Sequence, residues 1–157
     1  MLYLIALWAV LLTNSVGGAQ TFEGTPRIID GDTLELQGER IRLGHIDAPE
    51  SGQVCLDSFE QVYSCGDMAT QALSRLIRGQ VVLCEVYGVE FYGRYLGECW
   101  VEQISINRWL VVNGYAVAYR KHSKAYIPEE EEAREEKRGI WVGAFIMPEE
   151  WRKRHPR

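Results

Sequence analysis

"DGDTLELQGERIRLGHIDAPES", residues 30 to 51, decides how the rest of the chain is read. Two turn signals, Asp30-Gly31 and Gln37-Gly38, divide it. Between them Leu34 and Leu36 alternate with Glu35, and beyond them Ile41 and Leu43 flank Arg42. That period of two belongs to half-buried strands. With "PRIID" in front, residues 26–46 form a three-stranded meander. Arg40, Arg42 and Gly44 then share the face opposite Ile41 and Leu43. Asp47 precedes Ala48-Pro49. A residue before proline is held extended, which fixes the loop that carries Glu50.

Downstream, Met68, Ala69, Ala72, Leu73, Leu76 and Ile77 recur at helical spacing, with Gly79 placed to close the helix. "VVLCEVYG" and "YLGECWV" read as a strand pair. Ser105 can cap a helix through "INRWLVVN" that ends at Gly114. "YAVAYR" reads as extended, Pro128 opens an acidic helix that stops near Gly139, and "IWVGAF" is an apolar close. Five strands of meander type with helices inserted late predict an α+β fold. The economical form is a five-stranded OB-type β-barrel with about three α-helices, because closure removes exposed edges.

The chain has 157 residues, enough for one domain with a core, and its 46% hydrophobic and 25% charged residues are ordinary for a globular protein. Residues 1–19 differ. An apolar run from Leu2 to Leu12 turns small and polar, with Val16 or Gly17 at −3 and Gly18 or Ala19 at −1 of a cleavage site. The run is too short to span a bilayer and fits a signal peptide, although no Lys or Arg precedes it. The expectation is a leader at 1–19, a domain at 24–152 and a secreted or periplasmic protein. An uncleaved leader would instead serve as a membrane anchor.

Cys55, Cys65, Cys84 and Cys99 give an even count, which in an exported chain favours disulfides. No C-x-x-C pair exists to recommend zinc. Three pairings are open. Cys84 and Cys99 sit in runs that can lie side by side, and Cys55 and Cys65 bracket a short loop, so 55–65 with 84–99 is favoured.

The net charge of −5 argues against holding nucleic acid by bulk electrostatics. Much of it comes from "EEEEAREEKR" (129–138), read as a solvated helix face with Glu130 one turn from Arg134, while "WRKRHPR" is a basic tip. An acidic protein can still act on a polyanion through a locally positive site.

Asp30 is accounted for by turn chemistry. Asp32, Asp47 and Glu50 are not, and three carboxylates from two loops can meet at one barrel end. Such oxygen donors suit a hard cation such as Ca²⁺. Arg42 runs back towards those loops, and a second arginine, Arg94, opens a strand in "YGRYL". His45 reads as structural, with a role as base or nucleophile the lesser alternative. His122 and His155 read as surface residues. Trp100, Trp109, Trp141 and Trp151 can stack bases, but packing accounts for most of them.

The motifs "DGDTLEL", "RIRLGHIDAPES", "CGDMATQAL", "YGR", "NGYAVAYRKHSKAY" and "EEAREEKRGIW", in that order, resemble the thermonuclease family, the staphylococcal-nuclease-like proteins. The resemblance runs from about Arg27 to Trp151. It implies an OB barrel and Ca²⁺-assisted hydrolysis of DNA and RNA, leaving 3′-phosphate ends. It implies Asp32, Asp47 and the Ala48 carbonyl as calcium ligands, with Asp30 supporting them. Glu50 is implied as general base, and Arg42 and Arg94 as the groups that stabilise the transition state. Tyr92, Tyr119 and Lys121 match positions lining the nucleotide cleft. The chain departs from the family in two places. Phe91 stands where many members carry a cation, and Ala48 where some carry threonine.

A monomer with no stable protein partner is expected. Two other readings compete: a non-catalytic OB or Tudor-like module that binds nucleic acid or peptide, and a calcium-binding structural protein. A binding-only descendant should have lost one of Asp32, Arg42, Asp47, Glu50 and Arg94; the structural protein leaves both arginines unexplained.

Overall fold

The computed structural model describes residues 20–121 and 123–156; the proposed leader and His122 lie outside them. In chain order the strands and helices are β1 (Gln20–Gly24), β2 (Arg27–Asp30), β3 (Thr33–Leu36), β4 (Glu39–Leu43), β5 (Ile46–Asp47), β6 (Val54–Leu56), β7 (Val62–Ser64), α1 (Cys65–Ile77), β8 (Val82–Val89), β9 (Tyr95–Val101), β10 (Ile104–Ser105), α2 (Ile106–Val112), β11 (Val117–Ala118), α3 (Ile127–Glu135) and α4 (Pro148–Arg154). A 3₁₀ turn at Gly139–Val142 precedes α4.

The main sheet runs β1-β8-β9-β4-β3-β2, with β10 on β9. Its edge strands, β1 and β2, are separated in sequence only by Thr25 and Pro26. The sheet therefore curls into a half-barrel whose edge strands do not pair, in keeping with the expected OB-type fold although without full closure. β2, β3, β4, β8 and β9 are the five strands expected; β1 and β10 are additions. β8 shows why these residues form a strand. Val82, Cys84 and Val86 are buried while Val81, Leu83, Glu85 and Tyr87 face out. The β4–β9 pair is parallel, with Arg42 opposite Leu96. Arg94 lies two residues before Leu96, so it continues the face that Arg42 occupies.

Leu34, Leu36, Ile41 and Leu43 from the meander pack with Leu73 and Ile77 of α1 and Ile106 and Leu110 of α2. Asn107 is fully buried among them. Its amide donates to the Gly44 and Gly97 carbonyls, and its oxygen accepts from the Cys99 N–H. All its polar atoms are thus engaged, and α2 is pinned across the β4–β9 pair. Both favoured disulfides form, Cys55–Cys65 and Cys84–Cys99. Cys84 and Cys99 sit directly opposite each other on β8 and β9.

Several expectations need correction. Among the described residues there are four α-helices where about three were expected, because "PEEWRKR" forms α4. The first turn is centred on Gly31 and Asp32, since Asp30 pairs with Thr33 and its Oδ1 accepts the Asp32 N–H at 3.1 Å. At the end of α1 it is Arg78, at φ 48°, that takes the left-handed position, ahead of Gly79 at φ 73°. Glu130 does not join a solvated face. It is buried and accepts from Arg120 at 2.6 and 3.0 Å, while Arg134 lies over the Trp141 ring.

Candidate active site

The site is an ion-pair ladder laid across one end of the barrel. Arg42 rises from β4 on the face opposite Ile41 and Leu43 and is almost wholly buried. Its Nη2 donates to Asp32 Oδ2 at 3.3 Å and to Asp47 Oδ1 at 3.0 Å. Its Nη1 reaches Glu90 Oε1 at 3.5 Å. The guanidinium also lies 5.6 Å from the centre of the Tyr119 ring, a cation–π distance. Glu90 in turn accepts from Arg94, through Nε at 2.8 Å and Nη2 at 2.6 Å. The β8–β9 turn is closed by Glu90 N–H to the Arg94 carbonyl at 2.8 Å, so both residues are fixed by backbone.

At the other end stands Arg152 of α4. Its Nη1 donates to Asp47 Oδ1 and to Glu50 Oε1, both at 2.7 Å, and its Nη2 to Asp47 Oδ2 at 2.9 Å. The ladder thus reads Arg94, Glu90, Arg42, Asp47, Arg152, Glu50, with Asp32 beside Arg42. All of it except Asp47 lines a cleft of about 1020 Å³, together with Asp30, Tyr92 and Tyr119.

Burial pushes the Asp47 carboxyl above its usual range, and Asp32 adds to the push; Arg152 and Arg42 pull the other way. Asp30 is raised as well, first by burial and then by Asp32. Burial works against the charge of Arg42, but Asp32, Asp47 and Glu90 outweigh it and hold its proton firmly. Arg152 is held likewise by Asp47 and Glu50.

Three contacts with the backbone aim the acids. Asp32 Oδ2 accepts the Ala48 N–H at 3.0 Å, which ties the first turn to the Asp47 loop. Gln53, fully buried, accepts the Glu50 N–H at 3.0 Å and donates to the Ile146 carbonyl at 2.7 Å. Gly66 has no side chain where one would meet the Glu50 carbonyl, a Cβ there lying 1.9 Å from that oxygen.

Of the residues singled out from sequence, Asp30, Asp32, Arg42, Glu50, Tyr92, Arg94 and Tyr119 line the cleft. Asp47 and Ala48 are buried beside it. Lys121, paired with Glu149 at 3.2 Å, lines a smaller pocket of about 280 Å³ that Asp47 and Tyr119 also line. His45 stacks on Tyr87 and gives its carbonyl to the Tyr119 N–H, a structural use. Sequence reasoning missed Glu90, Arg152 and Gln53 as parts of the site. The neighbourhood of Arg94 was a signal for Glu90; nothing comparable marked the other two.

Among the described residues no three His, Cys, Asp or Glu side chains gather as a metal cluster. The carboxylates gather around guanidinium groups instead. Asp32 and Asp47 still fit a hard cation. Both are buried carboxylates, and Asp32 Oδ2 and Asp47 Oδ1 converge on the one nitrogen Arg42 Nη2, so two oxygen donors already face a single positive centre.

Residues 40–143 match the family described as staphylococcal nuclease homologue. The succinoglycan biosynthesis protein ExoI of Rhizobium meliloti (strain 1021) is 38% identical over 138 residues, covering 86% of this chain and 72% of that protein. A micrococcal nuclease of Shigella flexneri is 35% identical over 164 residues, covering 92% and 88%. An uncharacterized endonuclease of Escherichia coli O157:H7 is 32% identical over 136 residues, covering 82% of each. The chain therefore belongs to the staphylococcal nuclease homologues and is an endonuclease, a phosphodiester hydrolase with nucleic acid as its substrate.

Proposed function

We propose that this chain is an exported, calcium-dependent nuclease that cuts DNA and RNA and leaves 3′-phosphate ends. The observation that carries the reading is the pairing of Arg42 and Arg94 on one carboxylate, Glu90, in a cleft that also holds Glu50. Two guanidinium groups spaced to share one anion are spaced to share another. A phosphodiester entering the cleft exchanges its oxygens for those of Glu90, and each arginine keeps a planar, charge-assisted partner.

Glu50 then takes a proton from water. The water oxygen bonds to phosphorus, the bond from phosphorus to the 5′-oxygen breaks with its electron pair staying on oxygen, and that oxygen takes a proton from solvent as it leaves. Negative charge grows on the phosphoryl oxygens, where Arg42 and Arg94 already point. Removing one such donor costs roughly 10²–10³ in rate. Nucleases of this family are generally metal-dependent. Asp32, Asp47 and the Ala48 carbonyl would hold Ca²⁺, which when bound supplies a further positive charge beside the phosphate. Tyr92, Tyr119 and Lys121 would line the path of the strand. Two disulfides fit an oxidising compartment, and the leader at 1–19 would deliver the chain there.

The test is cleavage of single-stranded DNA and RNA with and without Ca²⁺, with end groups identified. We expect activity that EDTA abolishes, and a Glu50→Gln variant that keeps its circular dichroism while losing at least about 10² in kcat. Strands left intact at every calcium concentration would transfer the chain to the binding-module reading.

A further inference from the structure

Trp151 of α4 and His155, which caps that helix at its C-terminus, are one helical turn apart, and their rings stack at 4.0 Å with 20° between planes. His155 is held by its N–H to the Trp151 carbonyl at 3.0 Å. Both line the cleft that holds Arg42 and Arg94. Neither contributes to the hydrolysis described above, and both lie outside the segment matched to the family. Trp109 and Trp141 differ in this respect, being packed on Tyr115 and on Phe145 away from the cleft.

An indole left partly open in a charged cleft is poorly used by packing alone. Its flat apolar face suits a flat apolar partner that arrives with a negative charge attached. A nucleobase on its phosphodiester is that partner, since every base has a stackable face. The space is there, because about 1020 Å³ is at the top of the roughly 300–1,000 Å³ usual for a small-ligand pocket. The ladder orders it: Arg94 and the Tyr92 hairpin tip stand at one end, Arg152 and α4 at the other. A phosphate at Arg42 and Arg94 leaves its neighbouring nucleotide to run towards α4.

We infer that Trp151 and His155 form a stacking site for a nucleobase flanking the reacting phosphate of a single strand. The inference rests on the nuclease reading for the path of the strand, but its test needs no turnover. Binding of a short fluorescein-labelled single-stranded oligonucleotide to the purified full chain is measured by anisotropy in EDTA, with each position in turn made abasic. For the unaltered chain we expect one abasic position to weaken binding roughly 5- to 150-fold. Trp151→Ala should lose a similar factor on the intact strand and become indifferent to that position. Trp151→Phe should retain the dependence, and His155→Ala, at an exposed residue, should weaken binding without altering the fold.

Trp151→Ala binding the intact strand as well as the unaltered chain would overturn the inference. So would a Trp151→Ala loss that leaves the abasic penalty in place, because α4 would then act only by holding Arg152. A Trp151-dependent abasic penalty in a chain that cuts nothing would support the stacking site and sink the enzyme reading alone. Cleavage that is indifferent to both Trp151 and the abasic position would do the reverse.

Discussion

Arg42 and Arg152 donate to the same oxygen of Asp47, at 3.0 and 2.7 Å, from positions 110 residues apart in sequence. Their surroundings differ. The Arg42 side chain is 10% exposed, set in the sheet, and shared among Asp32, Asp47 and Glu90. The Arg152 side chain is 34% exposed and comes from a seven-residue helix near the end of the described chain. Arg42 is in place once β4 pairs with β3 and β9. Arg152 is in place only if α4 docks, and that docking runs through Gln53, which ties the Glu50 loop to Ile146. The same carboxylate is thus served once by the barrel and once by the tail, and only the first service is guaranteed by forming the barrel.

The largest effect should follow removal of Arg42. Arg42→Ala leaves Asp32 and Asp47 buried, with Asp32 losing its guanidinium partner altogether. Breaking a buried pair from one side costs about 3–5 kcal/mol. That is a large share of the stability of a domain this size. Urea unfolding should show a strongly lowered midpoint, with Arg42→Lys recovering part of it because the charge returns without the fork geometry. An Arg42→Ala chain as stable as the original would mean that the carboxylates do not depend on the barrel arginine, and the contrast would fail at its stronger end.

Arg152→Ala should do less. Asp47 keeps Arg42, and Glu50 is partly exposed and can turn to water. Three short charge-assisted hydrogen bonds are lost, but from a side chain a third exposed, so the expected cost is about 1–2 kcal/mol after solvent screening. The same urea titration checks it. A loss equal to that of Arg42→Ala would show that α4 is as integral as β4, and the two ends of the ladder would have to be read as one unit.

That asymmetry parallels what could be read from sequence. The meander was legible because Leu34, Leu36, Ile41 and Leu43 repeat at period two, and Ser105 as a cap because its hydroxyl meets the Arg108 N–H as such residues do. The favoured disulfides followed from two runs that can lie side by side, for Cys84 and Cys99, and from a short bracketed loop, for Cys55 and Cys65. β1 was not legible. "QTFEG" buries only Phe22, and its strand state comes from pairing with β8, a partner about sixty residues away. α4 is too short to show a periodicity, and "WRKRHPR" offers three consecutive cations with nothing to say which one turns inward. Gln53 belongs to no motif. Its role exists only because the Glu50 loop and the Ile146 segment end up side by side. Residues whose chemistry is fixed by local pattern were found, while those whose chemistry is fixed by docking were not.

The smallest effect should come from the outermost contact of α4. Glu149 pairs with Lys121 at 3.2 Å and with Lys153 at 3.4 Å, and both lysines are largely exposed. Lys121, and after it Lys153, hold the Glu149 carboxyl below its usual range. Exposed pairs of this kind are screened by solvent and salt and stabilise little. Glu149→Gln should therefore leave the unfolding midpoint within the error of a thermal melt. It also frees Lys121 from its carboxylate without removing the lysine. If Lys121 lies on the path of the strand, Glu149→Gln should lower KM for a long single strand while leaving kcat alone, and Lys121→Ala should raise it. An unchanged KM in both variants would confine the strand to the Arg42 cleft. A midpoint that falls in Glu149→Gln as far as in Arg152→Ala would show that surface charge, rather than the Gln53 link, holds the tail in place.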